Sequence, residues 1–197
     1  MVKIDRHALL ELEVLKQVEG SPLLTNRKLA DKLGVSVKLS HALLSQMVER
    51  GLFHIKKHHS RRWDYFLTPE GLAEKARLTY EFIKFSMQFY HEARKRSARI
   101  CREIAESGRK KIAFLGTGEL AEIAYLGVKE WKLDLVEVFS EDKASEYFFG
   151  IPVRNIKEIS SSRAEFTIVC LFDKNKPMSE KYLPPNIGRT SNMHWIF

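Results

Sequence analysis

Residues 25–52 constrain this chain more than any other stretch. They run Thr25-Asn26-Arg27-Lys28-Leu29-Ala30-Asp31-Lys32-Leu33-Gly34-Val35-Ser36, then a helical pattern that ends in Glu49-Arg50-Gly51-Leu52. Thr25 can cap a short helix, because its hydroxyl accepts from backbone N–H groups that a first turn leaves unpaired. Gly34 closes that helix where positive φ is wanted, Ser36 caps the next one, and Gly51 ends it. Two helices joined by so tight a glycine turn cross steeply, as in the helix-turn-helix, whose second helix enters the major groove of DNA. Behind it, Phe53-His54-Ile55 and Trp63-Asp64-Tyr65-Phe66-Leu67 read as two strands around a basic tip, His58-His59-Ser60-Arg61-Arg62. Helix-turn-helix followed by a hairpin is a winged helix, and the order predicts double-stranded DNA as partner.

Charge supports the same partner independently. The chain carries 33 Lys+Arg against 25 Asp+Glu, a net charge of +8. Residues 1–110 hold 22 basic and 13 acidic side chains, whereas residues 111–197 hold 11 and 12. All the excess positive charge lies in the first part, which fits a polyanion there through counterion release. A membrane surface is the competing reading, but no basic amphipathic lipid-binding helix is legible.

At 197 residues the chain is long enough for two small domains, each with a core. Cys101 and Cys170 are too few for a disulfide framework, so a reducing compartment is expected. Met1 to Arg6 carries charge with no apolar run behind it, and no stretch approaches a membrane span. The expectation is a cytoplasmic protein with no membrane partner.

Leu9, Leu10, Val14 and Leu15 have helical spacing over 6–18 and predict the first helix of the winged domain. Leu29, Ala30 and Leu33 form the inward face of the second helix, and Leu43, Leu44, Met47 and Val48 that of the third. Lys38, His41, Ala42 and Ser45 are then left outward, where base edges are met. With Thr25 at the head of the motif and Arg61 and Arg62 on the wing, they form the candidate DNA-binding set. An ordinary solvated face is the competing reading.

Residues 6 to about 90 resemble the MarR-type winged-helix repressors. The resemblance rests on Leu-Ala-Asp-Lys-Leu-Gly-Val-Ser (29–36), on Glu49-Arg50-Gly51-Leu52, and on Leu67-Thr68-Pro69-Glu70-Gly71 after the wing. It implies a homodimer on an inverted repeat, with the wing arginines near the minor groove. Leu39 and Ala42 depart from the Thr and Arg frequent there, leaving apolar contact with a thymine methyl as the substitute.

Thr68-Pro69-Glu70 starts a further helix with a cap, a proline at the first helical position and an acid in the first turn. No proline or glycine interrupts the chain from Leu72 to Ser107. Leu78, Phe82, Phe85 and Phe89 form one apolar stripe; Ala76, Tyr80, Ile83, Met87 and Tyr90 form another. A helix this apolar on two sides buries more than one face. One face is assigned to its own winged domain and the other to a second subunit, with Phe85 and Phe89 expected at the dimer contact. A wider intrachain core is the alternative.

Beyond Ser107-Gly108 the pattern changes. Ile112-Ala113-Phe114-Leu115 reads as a buried strand, Gly116-Thr117-Gly118-Glu119-Leu120-Ala121 follows, and a helical pattern continues through Ile123, Ala124 and Val128. Strand, Gly-x-Gly-x-x-Ala, helix is the phosphate-binding turn of dinucleotide folds. Leu135–Phe139 is the expected second strand, Phe166–Phe172 a later one, and Met193–Phe197 an edge. Residues 111–172 are similar to the sensor domain of Rex repressors and to nucleotide-sugar-related Rossmann segments of polysaccharide-biosynthesis proteins. The similarity rests on Gly116 to Ala121, on the strand end at Phe139, and on Phe149-Gly150-Ile151-Pro152-Val153 with Asn155-Ile156. It implies NAD(H) or a nucleotide-sugar as effector, held by Gly116, Thr117, Gly118, Glu119 and Leu120, with Ser140 and Glu141 after the second strand. Ser140 departs from the ribose-binding Asp of such folds. Glycines kept only for packing are the alternative.

No catalytic or metal set is legible. Tyr125 and Lys129 spell Tyr-x-x-x-Lys on the wrong helix for a dehydrogenase, and His54, His58 and His59 have no accompanying ligands at metal spacing. The chain is expected not to be an enzyme. The predicted fold is an α+β winged helix-turn-helix domain (1–67), a helical connector and dimerisation region (68–107), and a small α/β Rossmann-like parallel sheet (108–197).

Overall fold

The hydroxyl and glycine caps sit where the sequence puts them. α2 (Asn26–Leu33) begins at Thr25, whose side chain accepts from the Lys28 amide at 3.3 Å, and ends at Gly34 with φ 62°. α3 (Val37–Glu49) begins at Ser36, which accepts from the Leu39 amide at 3.2 Å. These elements belong to a computed structural model that describes residues 6–21, 25–59, 62–141, 146–172, 183 and 192–197, without the side chains of 57–59 and 62. The chain divides into two compact units, residues 1–87 and 88–197.

In the first unit, α1 (Arg6–Gly20) buries Leu12, Val14, Leu15 and Val18 against Leu29, Leu43, Leu44 and Met47. The expected inward residues Leu9 and Leu10 are only half-buried. The face is turned because Glu11 also lies on the buried side, at 6% side-chain exposure, bonded to Arg50 Nη1 at 2.5 Å. Arg50 Nη2 reaches Glu74 at 3.0 Å. One guanidinium at the end of α3 thus ties α1 to the next long helix, using a planar fork suited to carboxylates. β1 (Phe53–His59) and β2 (Arg62–Leu67) pair antiparallel, with Phe53 opposite Leu67 and a register shift between Lys57 and His59. Both strands outrun the expected 53–55 and 63–67. Lysines and histidines hide the apolar alternation there, while the backbone ladder needs none.

α4 (Pro69–Glu106) is one uninterrupted helix. Thr68 Oγ1 accepts from the Gly71 amide at 3.0 Å and donates to the Gly51 carbonyl at 2.7 Å. Gly71 is required by a close approach, since a Cβ there would lie 2.1 Å from the Leu52 carbonyl oxygen. Leu78 is buried in the first unit. Phe89 corrects the stripe expected at a dimer contact: it stacks on Phe197 at 5.1 Å and packs on Phe172 at 5.6 Å, inside the second unit. The other stripe is the more exposed, with Tyr80 at 66%, Ile83 at 54% and Met87 at 49%, while Phe82 of the first is exposed at 40%.

The second unit is built on a six-stranded sheet. Its strands are β3 (Lys111–Leu115), β4 (Asp134–Ser140), β5 (Tyr147–Phe148), β6 (Ile151–Asn155), β7 (Phe166–Val169) and β8 (Met193–Trp195), in the order β5-β6-β4-β3-β7-β8. β3, β4, β6, β7 and β8 are parallel, and β5 is antiparallel to β6. The sheet expected to be parallel throughout therefore carries an antiparallel edge. Its cause is the turn Phe149-Gly150, with φ of 45° and 83°, which folds the chain straight back onto β6. Among the parallel strands the order is third, second, first, fourth, fifth, so direction reverses between β3 and β7. Ile112 and Phe114 face α5 (Glu119–Glu130) and the later part of α4, where Ile100, Cys101 and Ile104 are buried. Ala113, Leu115, Phe139 and Val169 line the other face with Ile156, at the start of a 3-10 helix, Ile156–Ser161.

Glu137 is a buried charge on β4, on the same face as Phe139. At 4% side-chain exposure it accepts from Arg154 Nη1 (2.6 Å), Ser162 Oγ (2.7 Å) and the Arg163 amide (2.8 Å). Burial alone would raise its pKa, but the Ser162, Arg163 and Arg154 donors outweigh this and hold it below the usual value. A depressed folded pKa stabilises above the unfolded value and stops doing so as pH falls through the folded one. Glu137→Gln is expected to cost about 2 kcal/mol at neutral pH. It should also flatten the acid limb of a pH–urea stability series below about pH 4.5.

Candidate functional site

Two surfaces hold the residues singled out in the sequence. The first is the outward face of α3. Lys38, His41 and Ala42 are exposed there and Ser45 is half-buried, while Leu43, Leu44 and Met47 are inside, as helical spacing requires. Ser40, also on α3, is fully buried and donates from Oγ to the Asn26 carbonyl at 3.2 Å, fixing the crossing of α2 and α3. Val37 and Leu39 are exposed at 50% and 42%, so the face is part apolar. Thr25 is exposed, with its hydroxyl oxygen engaged as the cap of α2. Arg61 and the side chain of Arg62 lie outside the described residues. On the wing strands, His54, Lys56, Trp63 and Phe66 are exposed. Trp63 and Phe66 are an addition to the sequence reading; their spacing of three in a strand puts them on opposite faces.

The second surface lies at the C-terminal ends of β3 and β4, beside the reversal of strand order between β3 and β7. Gly116 is buried with φ 110°, and its amide donates to the Phe139 carbonyl at 2.7 Å. A Cβ at Gly116 would lie 3.0 Å from the Cys170 carbonyl oxygen and from a Leu171 methyl. Gly118 differs. It caps α5 in extended backbone (φ −76°, ψ −171°), without a side-chain hydrogen bond, and a Cβ there would meet nothing within 4 Å. Packing explains the first glycine and not the second. Thr117 is half-buried and Glu119 exposed, whereas Leu120 is fully buried. Ser140, half-buried at the end of β4, stands one strand away with Glu141 exposed after it. Glu119 and Glu122 place carboxylates in the first turn of α5, where they already complement the helix dipole.

Other candidate chemistry resolves into packing. Burial raises the Cys101 thiol to about 12 and pushes Cys170 well up, so neither is a thiolate near neutrality. The Tyr125 ring stacks on Phe149 at 4.3 Å with Lys129 5.0 Å above it, in mid-helix on α5. Among the described residues no group of three His, Cys, Asp or Glu could hold a metal ion. No helix among them is long and apolar enough to cross a membrane.

No family model matches the chain, and no curated protein matches it significantly. Similar solved structures include a MarR family protein of Mycobacterium tuberculosis in complex with p-aminosalicylic acid. It is 22% identical with a TM-score of 0.37, over 41% of this chain and 62% of that one. MepR, a transcription regulator of the Staphylococcus aureus multidrug efflux pump MepA, is 20% identical with a TM-score of 0.37, over 44% and 63%. PigF with SAH is 13% identical with a TM-score of 0.28, over 83% and 61%. The chain thus spans less than two thirds of each of these three. Superpositions this loose establish neither a shared fold nor a shared activity.

Proposed function

We propose that the chain is a DNA-binding transcriptional regulator that acts as a homodimer. Its first unit reads duplex DNA through α3, and its second binds a phosphate-bearing nucleotide, NAD(H) or a nucleotide-sugar, at Gly116–Leu120. The observation that carries the DNA reading is α3 itself. It is capped at its start, buried on one face and open on the other at Lys38, His41 and Ala42. The excess of basic residues before position 110 supports a polyanion partner. Gly118 supports the effector: a glycine with open space where its Cβ would be suits close backbone approach to a pyrophosphate. Ligand would shift the population of dimer geometries that fit an operator.

A selection of random duplexes, read by sequencing, tests the first part. Lys38→Ala and His41→Ala are expected to change the preferred sequence, and fluorescence anisotropy should show affinity falling steeply with salt. Unaltered preference in both variants rejects α3 as the reader. Calorimetry with NAD(H) and a nucleotide-sugar tests the second part, Gly118→Val being the variant expected to lose the heat. No heat from either with the wild type leaves a dimerisation scaffold, and turnover of either ligand would favour an enzyme with a DNA-binding arm.

A further inference from the structure

At the other end of α5 from the glycine turn, a cleft of about 530 Å³ is lined by Lys95, Arg96, Arg99, Arg102, Glu130 and Trp131. Its size falls within the roughly 300–1,000 Å³ of small-molecule sites. The cations are not equally engaged. Arg96 is held by Glu92 at 2.6 Å and covers the Phe197 ring at 4.9 Å. Arg99 and Arg102 approach Glu103 and Glu106 only at 3.9 Å, with side chains 63% and 52% exposed. Pairs so long and so wet contribute little. Lys95 is exposed beside them.

A solvated helix face would account for those three cations. It does not account for two donors next to them. Trp131 Nε1 and Arg94 Nη1 are buried with no hydrogen-bond partner. Arg94 Nη2 is bonded to Glu130, the residue before Trp131, so both donors belong to the same junction of α4 and α5. Buried donors are nearly always paired, and an orphan costs free energy until an acceptor arrives. Both need an oxygen acceptor, and Trp131 itself lines the cleft, where cations outnumber carboxylates.

We propose that this cleft binds a small phosphorylated ligand, whose phosphate oxygens accept from Trp131 Nε1 and pair with Lys95 and Arg99. Lys95 and Arg102 are seven residues apart, roughly 10 Å along the helix, which suits a diphosphate or triphosphate better than a single phosphate. A donor that is itself buried calls for a ligand that enters, so the backbone of a duplex is disfavoured. The site is independent of the glycine turn.

The test uses the full-length protein labelled with ¹⁵N. Its three tryptophans, Trp63, Trp131 and Trp195, give three indole resonances, and Trp131→Phe assigns the one of interest. Titration with inorganic pyrophosphate and with a nucleoside triphosphate is expected to move the Trp131 resonance and leave the other two. Sulfate at matched ionic strength should not move it. Lys95→Ala with Arg99→Ala is expected to weaken binding at least about tenfold, with the rest of the spectrum reporting that the variant is folded. Gly118→Val should leave this response intact, which separates the cleft from the turn. A response to the triphosphate alone supports the site and adds a nucleoside contact. A Trp131 resonance unmoved by either at millimolar concentration, moved equally by sulfate, moved only by duplex DNA, or unaffected by the double substitution overturns the proposal.

Discussion

If the chain forms the proposed homodimer through α4, Ile83→Glu is expected to convert it to a monomer. Ala76, Tyr80, Ile83, Met87 and Tyr90 follow one another on α4 at intervals of four, three, four and three. That is the 3.5-residue seam of a helix pair rather than the broader stripe of a helix lying on its own core. Tyr80, Ile83 and Met87 are at least 49% exposed within the chain, so about half or more of each side chain is left uncovered at the seam. A second copy is self-complementary to such a seam under twofold symmetry, and each substitution then counts twice. Two carboxylates placed in an apolar contact should weaken the dimer by at least about two orders of magnitude. Sedimentation velocity across a concentration series checks it, and operator affinity should fall in parallel. Phe89→Glu is the informative contrast. Its ring lies between Phe197 and Phe172, so it should lower the melting temperature of the second unit instead of dissociating the dimer. An Ile83→Glu variant still dimeric at low micromolar concentration would mean that the seam is not the interface.

Gly116→Ala is expected to destabilise the second unit by about 3 kcal/mol, whereas Gly118→Ala should stay within about 0.5 kcal/mol of wild type. At Gly116 two costs combine. The backbone sits at φ 110°, outside the range of L side chains, and the new Cβ would press on the Cys170 carbonyl and Leu171 at 3.0 Å. That carbonyl belongs to the residue after β7, whose amide donates to the Leu115 carbonyl at 2.8 Å, so backing away loosens the pairing of β3 with β7. Gly118 has ordinary backbone angles and open space around it. Urea denaturation of both variants reads the difference directly. Equal stability would show that the turn relaxes freely and that neither glycine is held by the sheet. Marked destabilisation by Gly118→Ala would give that glycine a packing role and remove the support it lends to a bound phosphate.

The sequence by itself determined the local features of this protein. Thr25, Gly34, Ser36 and Thr68-Pro69 act on backbone groups within a few residues, so their effect on helix ends is legible without knowing the rest of the chain. The long helix from Pro69 was likewise readable, because nothing in it breaks the periodicity. Gly-x-Gly-x-x-Ala between an apolar strand and a helix located the β3–α5 turn for the same reason.

Only the tertiary structure decided matters that depend on residues far apart. Two apolar stripes on α4 look alike in sequence, yet Phe89 is covered because Phe172 and Phe197 return to it from about 80 and 110 positions on. Nothing near Glu11 and Glu137 in the sequence shows that they are buried; Arg50 and Arg154 satisfy them from a distance, since a carboxylate is buried only where donors meet it. Gly71 is fixed by the Leu52 carbonyl, and Gly116 by that of Cys170, neither visible from its neighbours in sequence. The antiparallel edge strand β5 and the reversal between β3 and β7 are properties of strand order, which alternation along a single strand does not encode. Short-range hydrogen bonding wrote the caps and turns into the chain; packing between distant segments chose which apolar face, which charge and which glycine mattered.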